Sequence, residues 1–146
     1  ENTPVMGLHL EGHYLNIDMA GGQNPANIKD PDPEEYIPLL DSTNCIKRWS
    51  AAPELPGALE FGKCCRKHGV LNAIAHTKAD FDQVKAGLQV GFTHANHFYN
   101  AMRGFYKVRE FKHAGTVEAI YDMDEITVEM IADGIHVPPV ILNMIY

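Results

Sequence analysis

What this sequence has little of narrows it first. Only three cysteines occur in 146 residues. Two of them, Cys64 and Cys65, are adjacent, and no C-x-x-C pair or even-numbered set is formed, so a disulfide framework is excluded and reduced thiols are expected. No apolar run approaches the roughly 18 residues that a bilayer-spanning helix needs, and the opening Glu1-Asn2-Thr3-Pro4 lacks the basic and apolar regions of a signal peptide. A cytoplasmic protein without a membrane partner is therefore expected. Basic charge is scarce as well: 12 Lys and Arg stand against 19 Asp and Glu, for a net charge of -7. No basic run could track a phosphate backbone, so nucleic acid is not an expected partner. No Gly/Ser tract or low-complexity segment divides the chain.

What remains is the balance of an ordinary globular protein, 45% hydrophobic and 21% charged, with material for one core. Short apolar runs predict strands at Val5 to Glu11, Ile46 to Ala52, Val70 to Ala75, Phe92 to Phe98 and Thr127 to Ile131. The first is nearly continuous in apolar residues, as a strand covered on both faces would be. Helix signals lie between them. Asp32-Pro33-Glu34-Glu35 offers an N-cap, a proline at the first helical position and acids in the first turn, with Tyr36, Leu39 and Leu40 on one face. A second helix is expected from Ala58 to Lys67, ending at Gly69. Asp80 with Gln83 forms a capping box ahead of Phe81, Val84 and Leu88, and Gly91 supplies a left-handed stop. Pro138 and Pro139 open a last helix through Ile145. Asn16 to Asp30 and Arg103 to Lys112 read as irregular loops after strand ends.

Alternation of strand and helix predicts an α/β protein with about five parallel strands and crossover helices. A closed (β/α)8 barrel uses about 250 residues. These strands therefore belong either to part of such a barrel, not closed by this chain alone, or to an open sheet.

The polar residues at the strand ends are Glu11, Glu54, His76, His97 and His136. Glu54, His76 and His97 follow one another at intervals of about one minimal strand-helix unit, so successive parallel strands would deliver them to one rim. A carboxylate with two imidazoles is one of the ligand sets of catalytic zinc, which keeps a position open for water. Spacing alone leaves alternatives open. A lone glutamate at a strand end is more often solvated or a helix cap, and His13, His68, His94 and His113 are equally available by composition.

The motifs carry more than the spacing. Gly7-Leu8-His9-Leu10-Glu11-Gly12 resembles the G-[LI]-H-L-E-G-P segment of N-acetylglucosamine-6-phosphate deacetylases, members of the amidohydrolase superfamily. In order after it, Ala52-Pro53-Glu54 resembles their A-P-E and Ala75-His76-Thr77 their G-H-[ST]. Asn96-His97-Phe98-Tyr99-Asn100-Ala101-Met102 resembles T-H-L-[FY]-N-A-M, Arg109-Glu110 the start of R-E-P-G, and Ile131 to Val137 I-A-D-G-[LI]-H-V. The resemblance implies that residues 1–146 are the central segment of a barrel domain whose first and last strands lie outside them. It implies Glu11, His76 and His97 as metal ligands, with zinc as the expected ion. Gly22, Gln23, Asn100, Ala101, Arg109 and His136 are implied as contacts to an amino-sugar phosphate, Arg109 meeting the phosphate as a guanidinium fork suits.

The implied reaction is hydrolysis of N-acetylglucosamine 6-phosphate by a metal-activated water, giving glucosamine 6-phosphate and acetate, in a homo-oligomer. Three departures bear on it. Gln23 stands where the family carries a histidine, and it can donate a hydrogen bond but cannot carry a proton. His13 stands in place of a proline, and Phe111 replaces the proline of R-E-P-G. The family's general-base aspartate belongs to a later strand, so no catalytic residue is assigned here. Without that group, proton transfer would lose ~10²- to 10⁴-fold, and these residues alone are expected to be inactive. A non-catalytic binding or self-associating protein, and a deacetylase for a different amino sugar, remain alternatives.

Overall fold

The computed structural model describes residues 4–146; the reading of the chain's first residues as lacking a signal falls mostly on residues 1–3, outside this range. Five strands form one parallel sheet in the order β1 (Leu8–Glu11), β2 (Ile46–Ala51), β3 (Leu71–Ile74), β4 (Phe92–Ala95) and β7 (Thr127–Val128). Helices make the crossovers: α1 (Pro33–Ser42), α2 (Ala58–Lys67), α3 (Phe81–Val90) and α4 (Thr116–Tyr121), with α5 (Pro139–Ile145) after β7. The sheet is not closed, and β1 and β7 are its two edges.

Local chemistry sets the helix boundaries. The Asp32 carboxylate accepts from the Glu34 amide at 2.9 Å ahead of Pro33. Asp80 and Gln83 exchange hydrogen bonds at 3.0 Å each, and Gly91 ends α3 at φ 111°, a conformation that a side chain would oppose.

Trp49, Ile74, Phe92 and Ala95 turn toward the helices and join the buried core with Phe61 of α2 and Val84 of α3. Trp49 stacks on Tyr14 at 5.6 Å between ring centroids and meets Phe61 edge-on at 5.2 Å, while its indole N–H donates to the Gly12 carbonyl at 2.8 Å. The alternate residues turn to the other face, which is polar. There Asn96 donates to Ser50 Oγ at 2.6 Å, His9 Nε2 lies 2.7 Å from the same hydroxyl, and Arg48 pairs with Glu129 at 2.6 Å.

Several sequence expectations change. The first strand is not covered on both faces: Leu8, His9 and Glu11 are exposed and Leu10 is half-buried. The fourth strand stops at Ala95 rather than Phe98, since His97 takes a left-handed φ of 32° that no strand continues. The last keeps two residues of the five expected. In the stretch read as an irregular loop, and one residue beyond it, β5 (Tyr106–Val108) and β6 (Phe111–His113) form an antiparallel hairpin, and α4 had no sequence reading.

Candidate metal centre

In a parallel sheet all strands end at the same rim, and this places three side chains together. Glu11 is the last residue of β1, while His76 and His97 each lie two residues beyond β3 and β4. Glu11 Oε1 is 2.7 Å from His76 Nε2 and 3.0 Å from His97 Nε2, and the two imidazoles stand edge to face at 4.9 Å. Among the described residues, these are the one group of three or more His, Cys, Asp or Glu whose donor atoms converge closely enough to hold an ion, all within 4.8 Å.

The other ring nitrogens decide what the cluster fits. His76 Nδ1 is 2.7 Å from the Met19 carbonyl oxygen and His97 Nδ1 is 3.2 Å from that of Asn100. A carbonyl can only accept, so each Nδ1 carries the proton, and a neutral ring then presents its Nε2 lone pair to Glu11. Two lone pairs facing a carboxylate oxygen attract it only when protons or a cation lie between them. The donor set and its orientation therefore fit a divalent metal, with the main-chain acceptors fixing the tautomers as in established His sites.

With no ion, hydrogen bonds from His76 and then His97 hold the Glu11 carboxyl well below the usual carboxylate range. Burial works against a charged His97, but the hydrogen bond and field of Glu11 outweigh it and raise its pKa.

Unusual backbone surrounds the cluster. His76, His97, Tyr99 and Ala101 have φ of 46°, 32°, 75° and 51°, conformations costing about 1–3 kcal/mol each that persist where the surroundings over-determine them. Those surroundings are visible: the Asn16 amide donates to the His76 carbonyl at 2.9 Å, Thr77 N–H donates to Ala101 O at 3.0 Å, and Phe98 N–H to Glu129 O at 2.7 Å.

The remaining sequence candidates divide by position. Gly21 passes against the ring of His76: a Cβ there would sit 3.4 Å from its Cε1 and 4.0 Å from the Ala101 methyl. The Gly22–Gln23 turn thus adjoins the cluster. Asn100 and Ala101 lie three and four residues after His97, and the Asn100 side-chain amide donates locally to the His97 carbonyl at 3.2 Å. Arg109 lies exposed on the β5–β6 turn. His136 is exposed and tied to Asp133 at 2.6 Å, and neither it nor Arg109 is part of the converging group. Glu54, which spacing placed in the rim series, instead accepts hydrogen bonds from Asn16, Thr77 and Lys78. Sequence gave no sign of the Met19 and Asn100 carbonyls, because any residue can supply one.

Comparison with known proteins gives this geometry a family context. No family model matches the chain. It is 32% identical over its full length to the N-acetylglucosamine-6-phosphate deacetylase of Lysinibacillus sphaericus, of which it covers 37%. Its structure superposes with a TM-score of 0.88 and 37% identity on a point mutant of the Mycobacterium smegmatis N-acetyl-D-glucosamine-6-phosphate deacetylase, solved in complex with N-acetyl-D-glucosamine-6-phosphate, covering 95% of this chain and 36% of that one. This chain is related to the N-acetylglucosamine-6-phosphate deacetylases. It spans about a third of the length of these deacetylase relatives. The N-acetylgalactosamine-6-phosphate deacetylase of Escherichia coli O157:H7 is also similar, 28% identical over 96% of the chain and 36% of its own length. The unclosed α/β sheet thus matches part of the deacetylase fold.

Proposed function

We propose that these 146 residues are the central segment of a deacetylase barrel, contributing its metal centre and part of its grip on N-acetylglucosamine 6-phosphate. The observation that carries this reading is the convergence of His76 and His97 Nε2 on one Glu11 oxygen, with both Nδ1 atoms committed to carbonyls. Zinc suits a carboxylate with two imidazoles, and iron and other divalent ions share that preference. Such an ion, when bound, brings the pKa of water toward neutrality and withdraws charge from a carbonyl oxygen.

The chain's own residues would orient the substrate. Gln23, on the turn beside His76, offers an amide N–H to the acetamide oxygen, the Arg109 fork meets the phosphate dianion, Asn100 and Ala101 present amide and main-chain groups, and His136 faces the sugar. Proton transfer is left to a carboxylate outside these residues.

On this reading the chain alone releases no acetate from N-acetylglucosamine 6-phosphate with zinc present, while a longer version carrying the remaining strands does. Failure of the longer version would overturn the substrate assignment. A second reading, a deacetylase for another amino-sugar phosphate, is favoured by the N-acetylgalactosamine-6-phosphate deacetylase relative and by Gln23. A panel of the two acetylated sugar phosphates separates them.

A further inference from the structure

Glu54 has no place among the ligands, yet its carboxylate is fully engaged. Oε1 accepts from the Asn16 side-chain amide at 2.9 Å and from the Lys78 main-chain N–H at 2.7 Å, and Oε2 accepts from the Thr77 hydroxyl at 2.5 Å. All three donors border His76. Thr77 and Lys78 follow it in sequence, and the Thr77 hydroxyl, itself fully buried, also accepts from Ala79 N–H at 2.9 Å. Asn16 reaches it through space: its main-chain N–H donates to the His76 carbonyl at 2.9 Å, and it N-caps the 3-10 turn Ile17–Met19. The last residue of that turn supplies the carbonyl that fixes His76 Nδ1.

We propose that Glu54 is a positioning residue for the metal centre, pinning the loop after β1 to the loop after β3 so that the Met19 carbonyl orients the His76 ring. This rests on the metal-centre reading. A carboxylate suits the role because it can take three donors from three directions without a proton of its own. Losing it would leave the buried Thr77 hydroxyl and the Lys78 amide without their acceptor, and would free the turn that carries Met19. Supporting partners of this kind typically alter metal affinity by about 10- to 100-fold when removed.

The test is zinc affinity by chelator competition, with the visible absorption of bound cobalt(II) as a report on ligand geometry, in the 146-residue chain. Glu54→Ala is expected to weaken zinc binding about 10- to 100-fold and to change the cobalt spectrum. Glu54→Gln keeps an acceptor oxygen for Asn16 and Lys78 and is expected to restore most of the affinity. Thr77→Val, which removes one clamp contact without changing the side chain's shape, is expected to weaken binding less, and stands in should Glu54→Ala fail to fold. Val84→Ala, a core substitution in α3, lowers the melting temperature and is expected to leave affinity and spectrum unchanged. Equal loss in Val84→Ala, or wild-type affinity and spectrum in Glu54→Ala and Thr77→Val, overturns the role of Glu54 alone. A wild-type chain that takes up neither zinc nor cobalt overturns the metal centre as well.

Discussion

Individual side chains show how differently chemically similar residues can be used. Cys45 is exposed, whereas Cys65 is buried in the core, where burial pushes its thiol pKa up to about 12. In the native chain a thiol reagent is therefore expected to modify Cys45 and to reach Cys65 only on unfolding, a difference that mass spectrometry with and without urea would register. His68 shows a second contrast. It closes α2 with Nδ1 on the Cys64 carbonyl at 2.8 Å and Nε2 on Asp41 at 2.9 Å, and these bonds raise its pKa. A pKa raised in the fold means that the stabilisation is complete below the ordinary histidine range and is lost as pH rises through the folded value. His68→Ala should accordingly cost more stability at pH 5.5 than at pH 8.5, measured by urea unfolding at both. Equal costs would show that the imidazolium is not the stabilising form.

At the scale of elements, those with local signals were legible in the sequence and those set by distant partners were not. The caps of α1 and α3 and the stop at Gly91 follow from short-range chemistry, which a sequence spells out. The exposure of β1, the short β7 and the β5–β6 hairpin depend on which strands lie alongside. The same division holds at the site. The motifs pointed to Glu11, His76 and His97, which converge, but similar spacing could not distinguish Glu54, the proposed clamp, from a candidate ligand, because each lies at or beyond a strand end.

Two substitutions test the elements themselves. Asp80→Ala removes a capping box and should cost about 1 kcal/mol by urea unfolding. Ser50→Ala removes the 2.6 Å acceptor of buried Asn96, whose amide keeps only His9 Nε2 at 3.0 Å, and should cost about 1 kcal/mol. A neutral result for Ser50→Ala would mean that the polar face of the sheet is tied together elsewhere, through Arg48 and Glu129.

For the whole molecule, the open sheet is the dominant fact. The outer edge of β1 is unpaired among the described residues, and Val5, Met6 and Leu8 beside it are 87%, 83% and 51% exposed. An unpaired edge flanked by apolar side chains is a template for another strand. The 146-residue chain is expected to self-associate as its concentration rises, and Leu8→Lys to shift it toward monomer, both by light scattering with size exclusion. A clean monomer at every concentration would count against that expectation.

The rings of the candidate centre are oriented by carbonyl oxygens, and this places the site's vulnerability in an unexpected currency. Every amino acid carries the atom that Met19 contributes, so its identity is nearly free and Met19→Leu should bind metal as the parent does. What cannot vary is the count of residues from Asn16 to Met19. One added glycine there would move the acceptor off the His76 ring while leaving every candidate ligand in place, so drift in loop length would disable the proposed centre sooner than drift in composition.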